Sequence, residues 1–208
     1  MQTNTQHPAI ALSNERGLVR ARDLALVGAA GGTLQQLLKA GSLVRVERGV
    51  YASAARTSSE LDDLGPIAIK YPHLIFCLLT ALQLHGLTTQ SPHEVWVAVG
   101  QKARAPKIQY PPLHVVRMSD VGYGIVSITV DGVVHIPVTD IAKTIADCFK
   151  FRNKIGLDVA LEALRDAWQQ KKVTMDDLWR AAEHCRVANV MRPYLESFEV
   201  DPENGTAV

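Results

Sequence analysis

Apolar residues in the first quarter of the chain recur at helical spacing and then switch to alternation. In Val19 to Val27, the positions Ala21, Leu24 and Val27 fall three apart, which gives one stripe on a short helix, and Gly28 is placed to end it. Gly28 to Gly32 supplies a turn. From Thr33, read as an N-cap, Leu34, Leu37 and Leu38 share one face while Gln35, Gln36 and Lys39 share the other, and Gly41 stops the helix. Leu43 to Tyr51 alternates, offering Leu43 and Val50 for burial with Glu47-Arg48-Gly49 as a tight tip. Two short helices followed by a hairpin wing predict a winged helix-turn-helix, whose second helix lies in the major groove of DNA.

Ala52 to Ser59 turns small and polar and reads as a linker, which sets two domains, 1–56 and 57–208. Glu60 to Lys70 predicts a short helix that Pro66 keeps from being long and regular. Leu74 to Leu87 predicts a mostly apolar central helix closed by His85-Gly86. His93 to Val99 and Leu113 to Met118 are rich in strand formers, and Ile125 to Val130 joins Val133 to Ile136 through an Asp131-Gly132 hairpin turn. Helical spacing then returns, with Ile141, Ile145, Cys148 and Phe149 on one face of Val138 to Phe151 and Leu161, Leu164 and Trp168 on one face of Asp158 to Gln170. Thr174 with Asp177 resembles a capping box for a helix to about Cys185. Met191, Leu195 and Phe198 mark a last helix, with Pro193 near its start and a frayed tail from Asp201 to Val208. The fold class predicted is α+β, an N-terminal winged helix-turn-helix followed by a larger α+β domain with a small sheet flanked by helices.

Charge gives the first segment a direction. Through Arg56 the chain holds Arg16, Arg20, Arg22, Lys39, Arg45, Arg48 and Arg56 against Glu15, Asp23 and Glu47, a net of +4 within a whole chain of +1. A positive excess on a segment shaped like a reader is what phosphate attraction requires. The candidate DNA contacts are therefore Arg20 and Arg22 at the first helix, Thr33, Gln35, Gln36 and Lys39 on the reading helix, and Arg45 and Arg48 in the wing. Glutamine amides pair with an adenine edge or a phosphate, and the cations meet phosphates or a minor groove. The same module also occurs as a plain packing or dimerisation unit, a reading that the charge distribution disfavours.

At 208 residues and 47% hydrophobic content the chain has ample material for folded cores. Cys77, Cys148 and Cys185 lie in apolar stretches and never in a close pair, as free thiols of a reducing compartment do. The polar Met1 to Ala11 lacks the order of a secretion signal, and no apolar run approaches membrane-spanning length, so a cytoplasmic protein without a membrane partner is expected. The seven histidines are scattered without ligand spacing, so neither a metal nor another cofactor is predicted.

Catalytic patterns fare poorly. The nearest imitation of a restriction-type metal site is Asp131 with Asp140-Ile-Ala-Lys143, whose spacing is wrong because Lys143 lies three residues on and inside a predicted helix. No serine occupies a Gly-x-Ser-x-Gly elbow, and Gly28, Gly31 and Gly32 fit a helix-helix turn better than a phosphate loop. Lys102, Arg104 and Lys107, among three prolines, read as a solvated basic loop. Lys143 to Lys154 interleaves Lys143, Lys150, Arg152 and Lys154 with Phe149 and Phe151. It is either a partner surface or, the favoured reading, the exposed face of a helix whose aromatics are core. No catalytic residue is assigned.

Three stretches together resemble the AbiEi family of bacterial antitoxins. They are Arg22-Asp-Leu with Thr33 to Tyr51, then Cys77-Leu-Leu-Thr-Ala-Leu-Gln-Leu-His-Gly86 onward to Gln90, then Val138 to Arg165, a similarity over about Leu18 to Phe198. The resemblance implies a two-domain protein whose winged helix-turn-helix binds repeats in its own promoter and represses the operon. It also implies that the C-terminal domain counters a cognate AbiEii-type nucleotidyltransferase toxin without a stable complex. On that pattern the reading helix falls on Thr33, Gln35, Gln36 and Lys39 and the wing on Arg45 and Arg48. Ala29 to Gly32 depart from it, since relatives often carry Pro and Arg there. The partner expected is double-stranded operator DNA, bound as a monomer or dimer on repeats, because one short reading helix spans few base pairs. The alternatives are a metal-dependent nuclease and a protein-binding adaptor.

Overall fold

The computed structural model describes residues 7–56, 64–90, 92–108, 110–130 and 134–200, with the side chains of 199–200 excepted. Contacts group the chain into two units, Met1–Leu74 with Ser127–Pro137, and Ile75–Val126 with Val138–Val208.

The first unit opens with a helix that periodicity does not reveal. In α1 (Pro8–Arg16) the only buried residues are Ala9 and Ser13, which are small, so the helix has no apolar stripe to read. Its start is nevertheless well formed. Pro8 stands where a missing N–H costs nothing, and His7 Nδ1 accepts the Ala9 N–H at 3.1 Å. The chain then forms β1 (Leu18–Arg20), α2 (Ala21–Leu26), α3 (Gly31–Lys39), β2 (Leu43–Glu47) and β3 (Val50–Ser53). Val19 and Arg20 therefore belong to a strand that ends where the first helix stripe begins at Ala21. Strand β1 pairs antiparallel with β3, Val19 opposite Tyr51, and β3 pairs with β2 to give the order β1-β3-β2. This third strand makes the sheet beneath the helices, with Val19, Leu24, Ala29, Leu34, Leu43 and Tyr51 in one buried cluster.

Ala52 and Ser53, read as linker, are buried in β3, and Thr57 to Ser59 lie outside the described residues. Helix α4 (Leu64–Lys70) follows, with Leu64 through Ala68 buried and Pro66 in its first described turn. It approaches β1 closely, since a Cβ on Gly65 would stand 2.6 Å from Leu18 Cδ1. Lys70 pairs with Glu47.

In the second unit the expected central helix gives way at its start to a strand. Ile75–Phe76 forms β4, with Phe76 opposite Val97 on one side and Val138 on the other, and only Leu78–His85 forms the helix α5. Both settings bury the same apolar residues, so burial alone does not separate them. The remaining elements of the chain, of which Ser127–Pro137 in β7 and β8 belongs to the first unit, are β5 (Val95–Gly100), β6 (Leu113–Met118), β7 (Ile125–Val130), β8 (Val134–Thr139), α6 (Ile141–Lys150), α7 (Arg152–Ile155), α8 (Leu157–Gln169), α9 (Met175–His184) and α10 (Ala188–Val200). The strand order is β6-β5-β4-β8-β7. Asp131-Gly132, the turn predicted between β7 and β8, lies outside the described residues.

Neighbours β5 and β6 run parallel, Trp96 opposite His114, which a tight turn cannot achieve. The basic loop between them makes the crossover. Arg117 on β6 shapes its start by donating to the carbonyls of Gln101 at 2.9 Å and Ala103 at 2.8 Å, while Lys102 and Arg104 are exposed. The capping box at α9 is present as predicted. Thr174 Oγ1 accepts the Asp177 N–H at 3.2 Å and Asp177 Oδ2 accepts the Thr174 N–H at 3.4 Å.

Candidate nucleic-acid interface

The helix-turn-helix is built from glycine geometry and one buried stripe. Gly28, at φ +86°, lets the chain turn out of α2, and the Ala29 N–H then returns to the Leu24 carbonyl at 2.9 Å. Ala29 itself is buried, so the turn is anchored rather than loose. Helix α3 begins at Gly31, with Ala30 in extended backbone as its N-cap, and the Thr33 N–H donates to the Ala30 carbonyl at 3.1 Å. Thr33 is thus the third helical residue and not the cap. Nothing lies within 4 Å of where a Cβ would stand on Gly31 or Gly32, so the first turn of α3 is bare.

On α3 only Leu34 is fully buried, with Leu37 and Leu38 half-buried against the same cluster. Gln35, Gln36 and Lys39 are exposed on the other side. The helix closes in a Schellman arrangement, with Gly41 at φ +67° and the Ser42 N–H reaching the Leu37 carbonyl at 3.0 Å.

The wing is a bulged hairpin. Register slips between Arg45 and Glu47, leaving Val46 as the extra residue, and Gly49 turns the tip at φ +82°. The Gly49 carbonyl accepts the Ala21 N–H at 3.0 Å, which ties the tip to the start of α2. Arg45 and Arg48 are exposed, Arg45 Nε reaching the Glu47 carbonyl at 3.4 Å. Two acids of this unit have internal partners: Glu47 pairs with Lys70, while Asp23 accepts the Arg20 N–H at 3.3 Å and stands 3.6 Å from Arg22 Nε. Arg20 is half-buried where β1 meets α2, and Arg22 is exposed. The fold therefore groups Gln35, Gln36 and Lys39 on one helix face and Arg45 and Arg48 on the wing. Sequence reasoning missed the exposed apolar side chains Leu26, Val44 and Val46, which are 86%, 44% and 37% exposed. Leu26 lies off the Ala21-Leu24-Val27 stripe, which was the available signal.

Elsewhere the charged residues are used differently. Asp140 Oδ1 accepts the Lys143 N–H at 2.7 Å and caps α6. The buried Lys143 ammonium donates to Asp147 Oδ2 at 2.7 Å. Burial alone would lower the Lys143 pKa, but the Asp147 carboxylate overrides it and holds it above the ordinary lysine value. The Cys185 thiol donates to Asp147 Oδ1 at 3.5 Å, and burial followed by that neighbouring charge pushes it up to about 12. Cys77 and Cys148 are also buried, unbridged and pushed up by burial. Asp131 lies outside the described residues. Of the basic aromatic stretch, Lys143 and Phe149 are core, and Lys150 and Lys154 are exposed. Among the described residues no three histidine, cysteine or acidic side chains gather as a metal site, and no helix is long and apolar enough to cross a membrane.

Three antiparallel strands carrying a glycine-turned helix pair and a bulged tip define a winged helix-turn-helix protein of α+β class. Residues 9–54, from α1 through β3, match the family model described as transcriptional regulator, AbiEi antitoxin. No curated protein matches the chain. Among solved structures, the RV2827C protein from Mycobacterium tuberculosis is similar in fold at 14% identity, with a TM-score of 0.57 over 85% of this chain and 70% of that one.

Proposed function

We propose that the first unit binds double-stranded operator DNA and represses transcription of its own operon, and that the chain serves as the antitoxin to a nucleotidyltransferase toxin. The observation that carries this reading is the division of α3. Its apolar side is engaged with the sheet, while Gln35, Gln36 and Lys39 are exposed on the other side, in a domain matched to transcriptional regulators. The side-chain-free start of α3 at Gly31 and Gly32 leaves room for a phosphate at the helix N-terminus. Arg20, Arg22 and Thr33 are assigned as further DNA contacts, and Arg45 and Arg48 as wing contacts to the backbone. The activity is binding, on operator repeats by one or two copies, and not catalysis.

Gel shift on the DNA upstream of the gene tests it. The triple variant Gln35→Ala, Gln36→Ala, Lys39→Ala should weaken operator binding about 100-fold or more, each lost contact to a base edge contributing roughly 1–3 kcal/mol. Its thermal transition should stay near that of the parent, because exposed positions contribute within about 0.5 kcal/mol. Normal shift by this variant removes the reading face from the proposal. The antitoxin part is tested by co-expression with a neighbouring nucleotidyltransferase gene, where restored growth is expected and continued arrest overturns it.

A further inference from the structure

A cavity of about 660 Å³ opens within the second unit, bordered by the end of α5, the Tyr123-Gly124 segment, and the starts of α6 and α9. Its volume lies in the range of small-molecule sites, roughly 300–1,000 Å³. One wall is aromatic. The Tyr123 ring is held by stacking on His184, with centroids 3.6 Å apart and planes 13° from parallel, and His184 is fixed in turn by Asp120 at 3.1 Å. Ile141 and Val173 make the lining apolar.

The polar groups have unused capacity of both kinds. Lys172 donates one N–H to the His85 carbonyl at 2.7 Å and keeps its other donors. Arg180 binds Asp177 Oδ1 through Nη2 at 2.7 Å and the Asp176 carbonyl through Nε at 3.2 Å, which leaves Nη1. Asp177 is occupied by Thr174 and Arg180, whereas Asp140 caps α6 with Oδ1 alone, and Oδ2 remains an acceptor. A matching ligand must carry an anion for the two cations, an N–H edge for the one free carboxylate oxygen, and a flat ring for Tyr123. Inorganic phosphate meets only the first need, and a nucleoside lacks the anion.

We propose that this cavity binds a nucleoside monophosphate, with the phosphate at Lys172 and Arg180 and the base on Tyr123 with its N–H edge at Asp140. The site stands independently of the DNA-binding reading. Calorimetric titration of the full chain with adenosine, guanosine, cytidine and uridine monophosphates tests it, with inorganic phosphate and the corresponding nucleosides as separate probes. At least one monophosphate should bind, and both partial probes should bind at least about tenfold more weakly. Lys172→Gln and Arg180→Gln should each weaken binding about tenfold, the scale of a lost charge-assisted hydrogen bond. Ala142→Phe, which narrows the cavity without touching a charge, should abolish it, with circular dichroism confirming that each variant is folded. The proposal is overturned if no monophosphate binds, if inorganic phosphate binds as tightly, or if the folded Lys172 and Arg180 variants bind like the parent.

Discussion

Helices α3 and α6 are similar in length and both amphipathic, yet they put their polar residues to opposite uses. In α3 one residue is fully buried and the amides and the lysine face outward, whereas in α6 the seven residues Lys143 through Phe149 are all buried, two of them charged. The Lys143 ammonium and Asp147 carboxylate are paired inside the core, where burial keeps both from an outside partner. Gln35, Gln36 and Lys39 have no such internal engagement. A positive residue in a sequence is therefore ambiguous until its partner is known. Lys143 of the basic aromatic stretch is structural, and Lys39 of α3 is exposed.

The sharpest way to break this contrast is to remove one member of the buried pair. Lys143→Met or Asp147→Ala alone should destabilise the protein by about 3–5 kcal/mol in urea denaturation, since each strands an unpaired charge. The double change Lys143→Met, Asp147→Leu should recover most of that loss. Single costs below about 1 kcal/mol would place the pair in solvent and dissolve the distinction from α3.

A smaller effect of opposite sign sharpens the account of the second unit. Lys171 and Arg186 end α8 and α9 with left-handed backbone, φ 53° and 60°, and the following N–H groups return to Ala167 and Ala182 at 2.9 and 2.8 Å. Glycine removes the strain of that conformation at some entropic expense, so Lys171→Gly or Arg186→Gly should stabilise by about 0.5 kcal/mol. A loss of stability in either variant would mean that the side chain contributes more than the strain.

The last prediction concerns pH. Burial is the main influence on His85 and lowers its pKa below the ordinary 6.5, against the opposing hydrogen bond to the Thr139 carbonyl. The unfolded chain thus binds the proton more readily than the folded one. Stability from neutral His85 is complete above about pH 6.5 and declines as pH falls through the folded value. His85→Gln should flatten this part of the stability curve measured between neutral and mildly acidic pH. An unchanged slope would assign it to other groups.

Elements with strong local patterns were legible in the sequence. The Thr174-Asp177 box, the apolar stripe of α3 and the alternating wing rest on contacts within a few residues, where spacing carries the information. Elements that depend on distant partners were not. Strand β1 is three residues long and β4 two, too short for periodicity, and each exists because another strand is beside it. Helix α1 buries small residues, so it presents no apolar signal. The cavity joins residues from 85 to 180, and nothing in their individual spacing relates them.

By itself the sequence determined α3 with its polar face, the glycine-tipped wing, the positive bias of the first segment and the α+β class, because these follow from side-chain type at local spacing. Only the tertiary structure decided that β1 completes the winged sheet, that β6 runs parallel to β5, that Lys143 is sealed against Asp147, and that Lys172, Arg180, Asp140 and Tyr123 share one cavity. Those outcomes depend on which surfaces exclude water together and which charges meet there, and both are properties of contacts between residues far apart in the chain.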